Sequence, residues 1–503
     1  MMHFRTRLSL AAFLALAAVT PPALAQPEPT SPQELGRAID EHLKQPLYEN
    51  AIWAAIVIDL ASGETLYQRH PRISLMPASN AKLFTTAAVL EQLGPDFTYT
   101  TDVFTDGTIE AGVITGNLIV RGSGDPVIGG RFNKGDMTEV FRNWAEMLRQ
   151  QGIHTIQGDV IGDDDIFDDT PFGPGWSWDD EPFDYGAEIS GLSFNDNTVS
   201  VIMTGRAAGR PAEIRWEPFN TPYVDIHNAA VIVPADARKD EEIERPRATN
   251  AIRIATELPA GRIDTTALAV TNPTLYFVHV LRDVLRANRI DVRGEILDVD
   301  DLSLKPNYAS ASRLFSHTSP PLARIVEVIN KESQNLYAEQ VLRTLGVVRP
   351  QPDPDLDPAS TEMGIEAARY TYARAGVDTS RIQLVDGSGL SRMNLVTAEM
   401  TASLLRYMWR HPDAAVRQAF LASLPVAGVD GTLERRLRTG PALRNVRAKT
   451  GTLTGASALS GYVTSAAGTP LLFVLMSNNH TVRAGAVQRT QDAVVQLLAR
   501  YNR

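Results

Sequence analysis

Apolar residues near the two ends of the chain predict strands of one sheet. Residues 51–60 are almost continuously apolar, as in a buried strand, and a turn leads from them into a short second strand at 65–68. Residues 459–464 and 471–476 have the pattern of another hairpin, and apolar positions recur at helical spacing along 483–501. We therefore predict that both ends of the chain form one α/β (α+β) unit, with an antiparallel sheet and a helical region.

The middle of the chain has a different pattern. Residues 99–301 contain many short β-like runs with turn-rich connections, and helical spacing is clear only along 137–151 and 273–288. A long, mostly β insertion between two halves of a catalytic domain is the simplest account. We predict a discontinuous catalytic domain of residues 26–98 and 302–503, and an inserted region, 99–301, with a nested subdomain.

The first 25 residues have the features of a signal peptide. Arg5 and Arg7 form a short basic region, residues 8–19 are apolar but too few to span a bilayer, and Ala23 and Ala25 flank Leu24 as in a cleavage site. We expect the mature chain to be exported. Because no later apolar run is long enough to cross a membrane, we expect no transmembrane segment in it.

A candidate nucleophile stands at the start of a predicted helix. Pro77 is followed by small residues and then by helix formers, which places Ser79 in or beside the first turn. Lys82, three residues later, lies on the same face and could reach the serine hydroxyl. A serine becomes a good nucleophile when a neighbouring base takes its proton, and a desolvated amine can serve as that base. The alternative is a helix cap beside an exposed lysine.

The composition narrows the remaining chemistry. A net charge of -11 argues against nucleic acid or an anionic membrane surface as the main partner, and fits small or peptide substrates. The absence of cysteine excludes disulfides, thiol catalysis and thiolate metal sites. The nine histidines are scattered. The acidic residues of 163–169 lack the spacing of a calcium loop, so we interpret them as a solvated loop and expect neither a metal nor a cofactor.

Three further groups could contribute to the same site. Ser333 and Asn335 stand two residues apart on a predicted loop between helices, from which both could point into one cleft, although a helix cap is the plainer interpretation. Residues 386–392 are rich in turn formers and could be a simple connection. Residues 447–453 are typical of an edge strand, in which Gly451 would let a ligand backbone approach closely.

Together these groups resemble the motifs of the penicillin-recognising serine enzymes. Ser79-x-x-Lys82, Ser333-x-Asn335 and Lys449-Thr450-Gly451 occur in the same order, and about 250 residues separate the first two. This spacing is similar to that of the class C low-mass group, the penicillin-binding protein 4 type of D-alanyl-D-alanine carboxypeptidase. Four further stretches share the likeness: 122–126, 176–180, 185–187 and 386–392. The resemblance implies a β-lactamase-like catalytic domain and a periplasmic location.

The resemblance also implies roles for single residues. Ser79 would attack the carbonyl of the penultimate D-alanine, and neutral Lys82 would be its base, with Lys449 and Lys331 helping to lower the pKa of Lys82. Ser333 would relay a proton to the leaving amine, and Asn335 would hold the substrate amide. The implied oxyanion donors are the backbone N–H groups of Ser79 and Thr452. The implied ligands of the substrate carboxylate are Lys449, Thr450 and Thr452.

The implied substrates are peptidoglycan stem peptides, with β-lactam antibiotics as acylating inhibitors. Trp178, Asp180 and Tyr185 in the insertion supply an aromatic wall and a carboxylate that could pair with the amino group of diaminopimelate, or they could be core aromatics beside a turn. The alternatives are a β-lactamase or esterase of the same fold, and a wall-binding protein without turnover. Endopeptidase activity and the oligomeric state stay open.

Overall fold

The computed structural model describes residues 28–503, so the predicted signal peptide lies outside the described residues. The described helices are α1 (Pro32–Leu43), α2 (Ala81–Leu93), α3 (Glu139–Gln150), α4 (Pro273–Ala287), α5 (Leu322–Lys331), α6 (Asn335–Val348), α7 (Thr361–Arg374), α8 (Ala398–Trp409), α9 (Ala414–Ser423) and α10 (Ala484–Arg500). Within this part of the chain, no helix has both the length and the apolar composition that a bilayer crossing requires.

The strands are short in the middle of the chain and longer towards its ends. They are β1 (Ile52–Asp59), β2 (Thr65–Arg69), β3 (Thr100–Thr105), β4 (Ile109–Glu110), β5 (Val113–Ile114), β6 (Leu118–Arg121), β7 (Thr155–Ile156), β8 (Val160–Asp163), β9 (Thr198–Thr204), β10 (Glu213–Glu217), β11 (Asp225–Asn228), β12 (Val231–Val233), β13 (Ile243–Glu244), β14 (Ala251–Ile254), β15 (Glu257–Pro259), β16 (Ile263–Ala269), β17 (Asp291–Val292), β18 (Ile296–Asp298), β19 (Ser312–Thr318), β20 (Arg447–Leu453), β21 (Ala456–Thr464) and β22 (Pro470–Asn478).

Strands from the two ends of the chain form one antiparallel sheet in the order β2-β1-β22-β21-β20. Side chains alternate across β1, so that Ala54 and Ile56 join a core of helices α2 and α5 to α9 on one face, while Trp53 and Val57 join a core with α1 and α10 on the other. Both faces are covered, which explains the continuous apolar pattern of β1. The predicted fold class is confirmed, and β20 lies at the sheet edge as predicted.

The middle region forms several small sheets. The largest has five strands in the order β18-β8-β6-β3-β19, and a four-stranded sheet follows the order β17-β7-β5-β4. Helices α3 and α4 pack in the same core as these strands and those of the sheet β10-β9-β16. Because β19 pairs with β3, residues up to 318 belong to the sheet of the middle region. This pairing favours a return to the catalytic domain near residue 319 rather than 302.

Helix α6 is nearly enclosed by its neighbours. Every residue from Asn335 to Gly346 is buried, including the polar side chains of Asn335, Glu339, Gln340 and Arg343. Such side chains are rarely buried without partners. Their hydrogen bonds reach both the catalytic site and the insertion, as described below.

The acidic segment at 163–169, which we predicted to be a solvated loop, is exposed to solvent only in part. Asp163 is buried at the end of β8 and accepts a hydrogen bond from the hydroxyl of Tyr308. Asp168 forms an ion pair with the buried guanidinium of Arg343, at 2.7 Å. The local sequence could not reveal these partners, because they lie 145 and 175 residues away along the chain.

Candidate active site

The nucleophile candidate lies in a tight turn in front of α2. Residues Ala78–Asn80 form a 3-10 turn, and Lys82 follows in the first turn of the α-helix. Ala78 has a φ of 47°, a conformation that non-glycine residues seldom adopt and that is common at functional sites. This geometry brings the Nζ of Lys82 within 3.2 Å of the Oγ of Ser79. The side chain of Lys82 is completely buried.

The hydrogen bonds of Lys82 define the direction of its amine. Nζ donates to the Oδ1 of Asn335 at 2.6 Å and to the carbonyl oxygen of Ser388 at 2.7 Å. Both partners can only accept through these oxygens, so they take the two N–H bonds of a neutral amine and leave its lone pair for the hydroxyl of Ser79. Burial lowers the pKa of Lys82 to about 7, although the carboxyl groups of Glu339 and Asp386 oppose this shift.

Ser333 and Lys449 form the second pair of the site. Ser333 lies between α5 and α6 with a φ of 64°, and its Oγ accepts a hydrogen bond from the Nζ of Lys449 at 2.9 Å. Lys449 lies on β20 and also donates to the carbonyl oxygen of Thr450 at 2.9 Å. Its side chain is fully buried, and burial together with the ammonium of Lys82 holds its pKa well below the usual value.

Gly451 lets strand β20 lie against the nucleophile turn. A Cβ atom at this position would be 2.8 Å from the carbonyl oxygen of Pro77 and 3.0 Å from the backbone nitrogen of Ser79. Any larger residue would therefore push the strand away from Ser79. The close approach also brings Thr452, the next residue on the strand, to the cavity that contains Ser79.

Lys331 does not have the role that we predicted. Its Nζ lies 2.6 Å from a carboxylate oxygen of Asp430 and 3.2 Å from one of Glu327. These carboxylates neutralise its charge and raise its own pKa. The prediction that Lys331 helps to lower the pKa of Lys82 is therefore wrong, and burial is the main cause of that shift.

Two buried carboxyl groups beneath the site were missed by the sequence analysis. Glu339 accepts hydrogen bonds from the backbone N–H groups of Gly387 and Ser388, and Asp386 accepts from those of Gly389 and Ser391. They fix the loop that presents the Ser388 carbonyl to Lys82. Glu339 follows Asn335 by four residues on α6, so helical spacing could have placed it on the same face.

A cavity of about 360 Å³ opens over these residues. Its lining consists of Ser79, Asp180, Tyr185, Ser333, Asn335, Gly389, Leu390, Arg392, Thr452, Leu453 and Thr454. Trp178, by contrast, has 71% of its surface exposed and is not among the lining residues. Arg392, which the sequence analysis did not single out, adds a cation to the wall that carries Asp180.

The hydroxyl of Thr450 does not point into this cavity. Its Oγ1 donates a hydrogen bond to the Oγ1 of Thr432 at 2.8 Å. The amide of Asn335 connects the site to the insertion, because its Nδ2 donates to the carbonyl oxygen of Tyr185 at 2.8 Å. Of the substrate-binding residues expected in the insertion, Asp180 and Tyr185 therefore reach the candidate site, and Trp178 lies outside the cavity.

One group of carboxylates in the insertion has the geometry for a cation. Asp164, Asp298 and Asp300 can bring one oxygen each to within 4.8 Å of one another. Their other contacts are to protein donors: Thr274 and Ser190 donate to Asp164, and Asn272 donates to Asp298. Burial raises the pKa of Asp164 to about 7, which weakens its capacity to act as an anionic ligand.

Known proteins resemble this chain over almost its whole length. A D-alanyl-D-alanine carboxypeptidase of Actinomadura sp. (strain R39) is 35% identical over 95% of this chain and 87% of its own. The D-alanyl-D-alanine carboxypeptidase DacB of Haemophilus influenzae is 28% identical over 87% and 88% of the two chains. The crystal structure of penicillin binding protein 4 from H. influenzae has a TM-score of 0.79 at 24% identity, and covers 92% of this chain and 99% of its own.

The relationship predicted from the three motifs agrees with these similarities. The family model described as D-Ala-D-Ala carboxypeptidase 3 (S13) matches residues 35–501. This range includes the candidate nucleophile turn, all strands of the sheet β2-β1-β22-β21-β20 and the whole insertion. The chain belongs to the D-Ala-D-Ala carboxypeptidase 3 (S13) family.

Proposed function

We propose that this protein is a serine D-Ala-D-Ala carboxypeptidase that acts on peptidoglycan stem peptides in the periplasm through an acyl-enzyme on Ser79. The observation that carries the proposal is the hydrogen bonding of Lys82. Asn335 and Ser388 each accept a hydrogen bond from one N–H of its amine. The lone pair of the nitrogen is therefore directed at the Ser79 hydroxyl. Family membership gives the reaction class, and this geometry supports the assignment of nucleophile and base.

Acylation begins with the transfer of a proton from Ser79 to neutral Lys82. The Ser79 oxygen then forms a bond to the carbonyl carbon of the penultimate D-alanine, and negative charge develops on the carbonyl oxygen. The backbone N–H groups of Ser79 and Thr452 are the proposed donors to this oxyanion. Thr452 and Ser79 both line the cavity, which supports this pairing.

Collapse of the tetrahedral intermediate breaks the bond to the terminal D-alanine. Its amine must gain a proton as it leaves, and Ser333 is the proposed relay because its hydroxyl is bonded to Lys449. Water then hydrolyses the ester at Ser79 and releases the shortened peptide.

Lys449 is the proposed partner of the substrate's terminal carboxylate. Among residues 28–503 it has no carboxylate within 4.0 Å, and its two acceptors are uncharged oxygens. A bound carboxylate would be the first counter-charge at this position, so it would favour the ammonium form of Lys449. That charge would in turn favour the neutral form of Lys82, which couples substrate binding to activation of the base.

The wall of the cavity offers a place for the rest of the stem peptide. Asp180 and Arg392 carry opposite charges, and Tyr185 provides an aromatic surface beside them. This combination suits a side chain that ends in both an amine and a carboxylate, as diaminopimelate does. We propose Asp180, Tyr185 and Arg392 as the recognition residues.

Intact mass before and after incubation with benzylpenicillin tests the proposal, together with D-alanine release from a stem pentapeptide. We expect a penicilloyl adduct and D-alanine release for the wild type, and neither for Ser79→Ala. An adduct without D-alanine release would contradict the carboxypeptidase assignment. Rapid loss of penicillin without a stable adduct would instead make the protein a β-lactamase.

A further inference from the structure

Glu339 lies directly behind the candidate general base and is completely buried. Its Oε1 accepts a hydrogen bond from the backbone N–H of Ser388 at 2.7 Å, and its Oε2 accepts one from that of Gly387 at 2.8 Å. The carbonyl oxygen of Ser388 is one of the two acceptors of Lys82. Both carboxyl oxygens are therefore used to hold the backbone that contacts the catalytic amine.

We propose that Glu339 is a positioning residue for Lys82, which holds the Ser388 carbonyl in place and sets the charge behind the amine; this inference rests on the proposed function. Asn335 and Glu339 are four residues apart on α6, so one helix face supplies the first acceptor of Lys82 directly and the second through the loop. The rigid helix thus fixes two of the three contacts of the amine.

A purely structural role for Glu339 would be limited to fixing the loop. Charged groups surround Glu339, so its effect on the protonation of Lys82 can be distinguished from its effect on the loop. Lys82 and Asp386 face Glu339 from α2 and the loop, Arg343 follows it on α6, and Lys449 faces Lys82 from β20. Burial raises the pKa of Glu339 to about 7, and where Glu339 is ionised its charge favours the ammonium form of Lys82, so removing that charge makes Lys82 lose its proton more readily.

The variant Glu339→Gln changes both the charge and the hydrogen bonds while it keeps the size of the side chain. Its amide oxygen can accept from one of the two N–H groups, but its NH₂ group would face the other donor. We expect the rate of acylation by a chromogenic β-lactam to fall about tenfold or more, because the amine is displaced from Ser79. We also expect the acidic limb of the pH–rate profile, where the acylation rate rises with pH, to move to lower pH. The reason is that Lys82 loses its neighbouring negative charge.

Glu339→Asp separates position from charge. It keeps the carboxylate but shortens the side chain by one methylene, so we expect a reduced rate with an acidic limb close to that of the wild type. Gln340→Leu is the matched control, since Gln340 is the next buried residue of α6 and donates to Ser190 and Ser193 of the insertion. We expect its acidic limb to stay at the wild-type pH.

The outcomes separate this inference from the proposed function. If the wild type forms no acyl adduct, the proposed function fails and the inference fails with it. If the wild type is acylated but Glu339→Gln loses rate equally at every pH, Glu339 is only structural and the inference is wrong. An acylation rate of Glu339→Asp equal to that of the wild type would also overturn the inference. If Glu339→Gln does not fold, Glu339→Asp and Gln340→Leu still test the positioning role: a wild-type rate in Glu339→Asp, or an equal loss of rate in both variants, would overturn the inference.

Discussion

Lys82 combines complete burial with three defined contacts. Burial lowers its pKa to about 7 from a usual value near 10.5. A base acts only when it has lost its proton, so the pKa determines the pH range in which Ser79 can be activated.

We predict that the acylation rate rises with pH through about 7 and then levels off. Lys82 is protonated below this pH and neutral above it, so the active fraction increases as pH rises. Stopped-flow measurement of acylation by a chromogenic β-lactam between pH 5 and 9 tests this. A rate that is still rising steeply at pH 9 would mean that the amine has an ordinary pKa, and would contradict the assigned base.

Lys82→Arg should lower the acylation rate at neutral pH by a factor on the order of 10³, because a guanidinium stays protonated. Lys134→Arg is the matched control, since Lys134 lies in the insertion and has no hydrogen bond or ion pair among residues 28–503. Its acylation rate should equal that of the wild type. Equal rates for the two variants would contradict the role of Lys82.

At the scale of single residues, the sequence identified the candidate catalytic side chains but not the residues that hold them in place. Ser79, Lys82, Ser333 and Asn335 could be selected because their residue types and spacing match a known pattern. Helical spacing could have placed Glu339 on the face of Asn335, but it could not reveal the role of Glu339, since its partners Gly387 and Ser388 lie 48 and 49 residues further along the chain. Lys331 was assigned wrongly because the sequence does not show that Asp430 neutralises it.

Among the connecting elements, the loop that contains Gly389 is tightly bound to the nucleophile turn. Gly389 has a φ of 83°, and a Cβ there would lie 2.0 Å from the carbonyl oxygen of Ala78. Backbone-to-backbone contact of this kind cannot relax by side-chain rotation. The loop and the turn therefore have to move together.

Gly389→Ala should reduce acylation by about tenfold or more, because displacement of Ala78 misplaces Ser79. Gly468→Ala is its control: Gly468 has a φ of 80°, and a Cβ there meets no atom within 4 Å. Both variants carry similar backbone strain, on the order of 1–2 kcal/mol, but Gly468 lies in a distant hairpin turn. Equal loss of activity in both would show that strain alone is responsible.

The regular elements were easier to predict than the loops. The continuous apolar run at 51–60 contains strand β1, and the helical spacing along 273–288 corresponds to helix α4. Apart from their family likeness, residues 386–392 indicated no more than a turn-rich connection, because the contacts that order them come from α6 and from the Ala78 turn. Local patterns do not contain such long-range partners.

Across the whole molecule, α6 connects the catalytic core to the insertion. Gln340 donates to Ser190 and Ser193, and Arg343 donates to Asp168 and to the carbonyl oxygen of Thr170. Trp176 of the insertion in turn donates to Asp386 beneath the site. The inserted region is thus bound to the same helix that presents Asn335.

Arg343→Met should lower the free energy of unfolding by about 3 kcal/mol, because it leaves Asp168 without its buried partner. Chemical denaturation of the variant and the wild type measures this. Arg349→Met is the control, since Arg349 lies exposed just after the same helix and should change the free energy by less than about 0.5 kcal/mol. Equal stability of the two variants would contradict the importance of this ion pair.

The three contacts of Lys82 also determine when a newly made chain can become active. Ser79 and Lys82 are present early, but Asn335 and Ser388 are synthesised 253 and 306 residues after Lys82. Until those distant segments dock, the amine lies in water, keeps its proton and cannot activate the serine. A partly folded chain therefore carries the nucleophile without its base, and hydrolytic competence appears only with the completed tertiary structure.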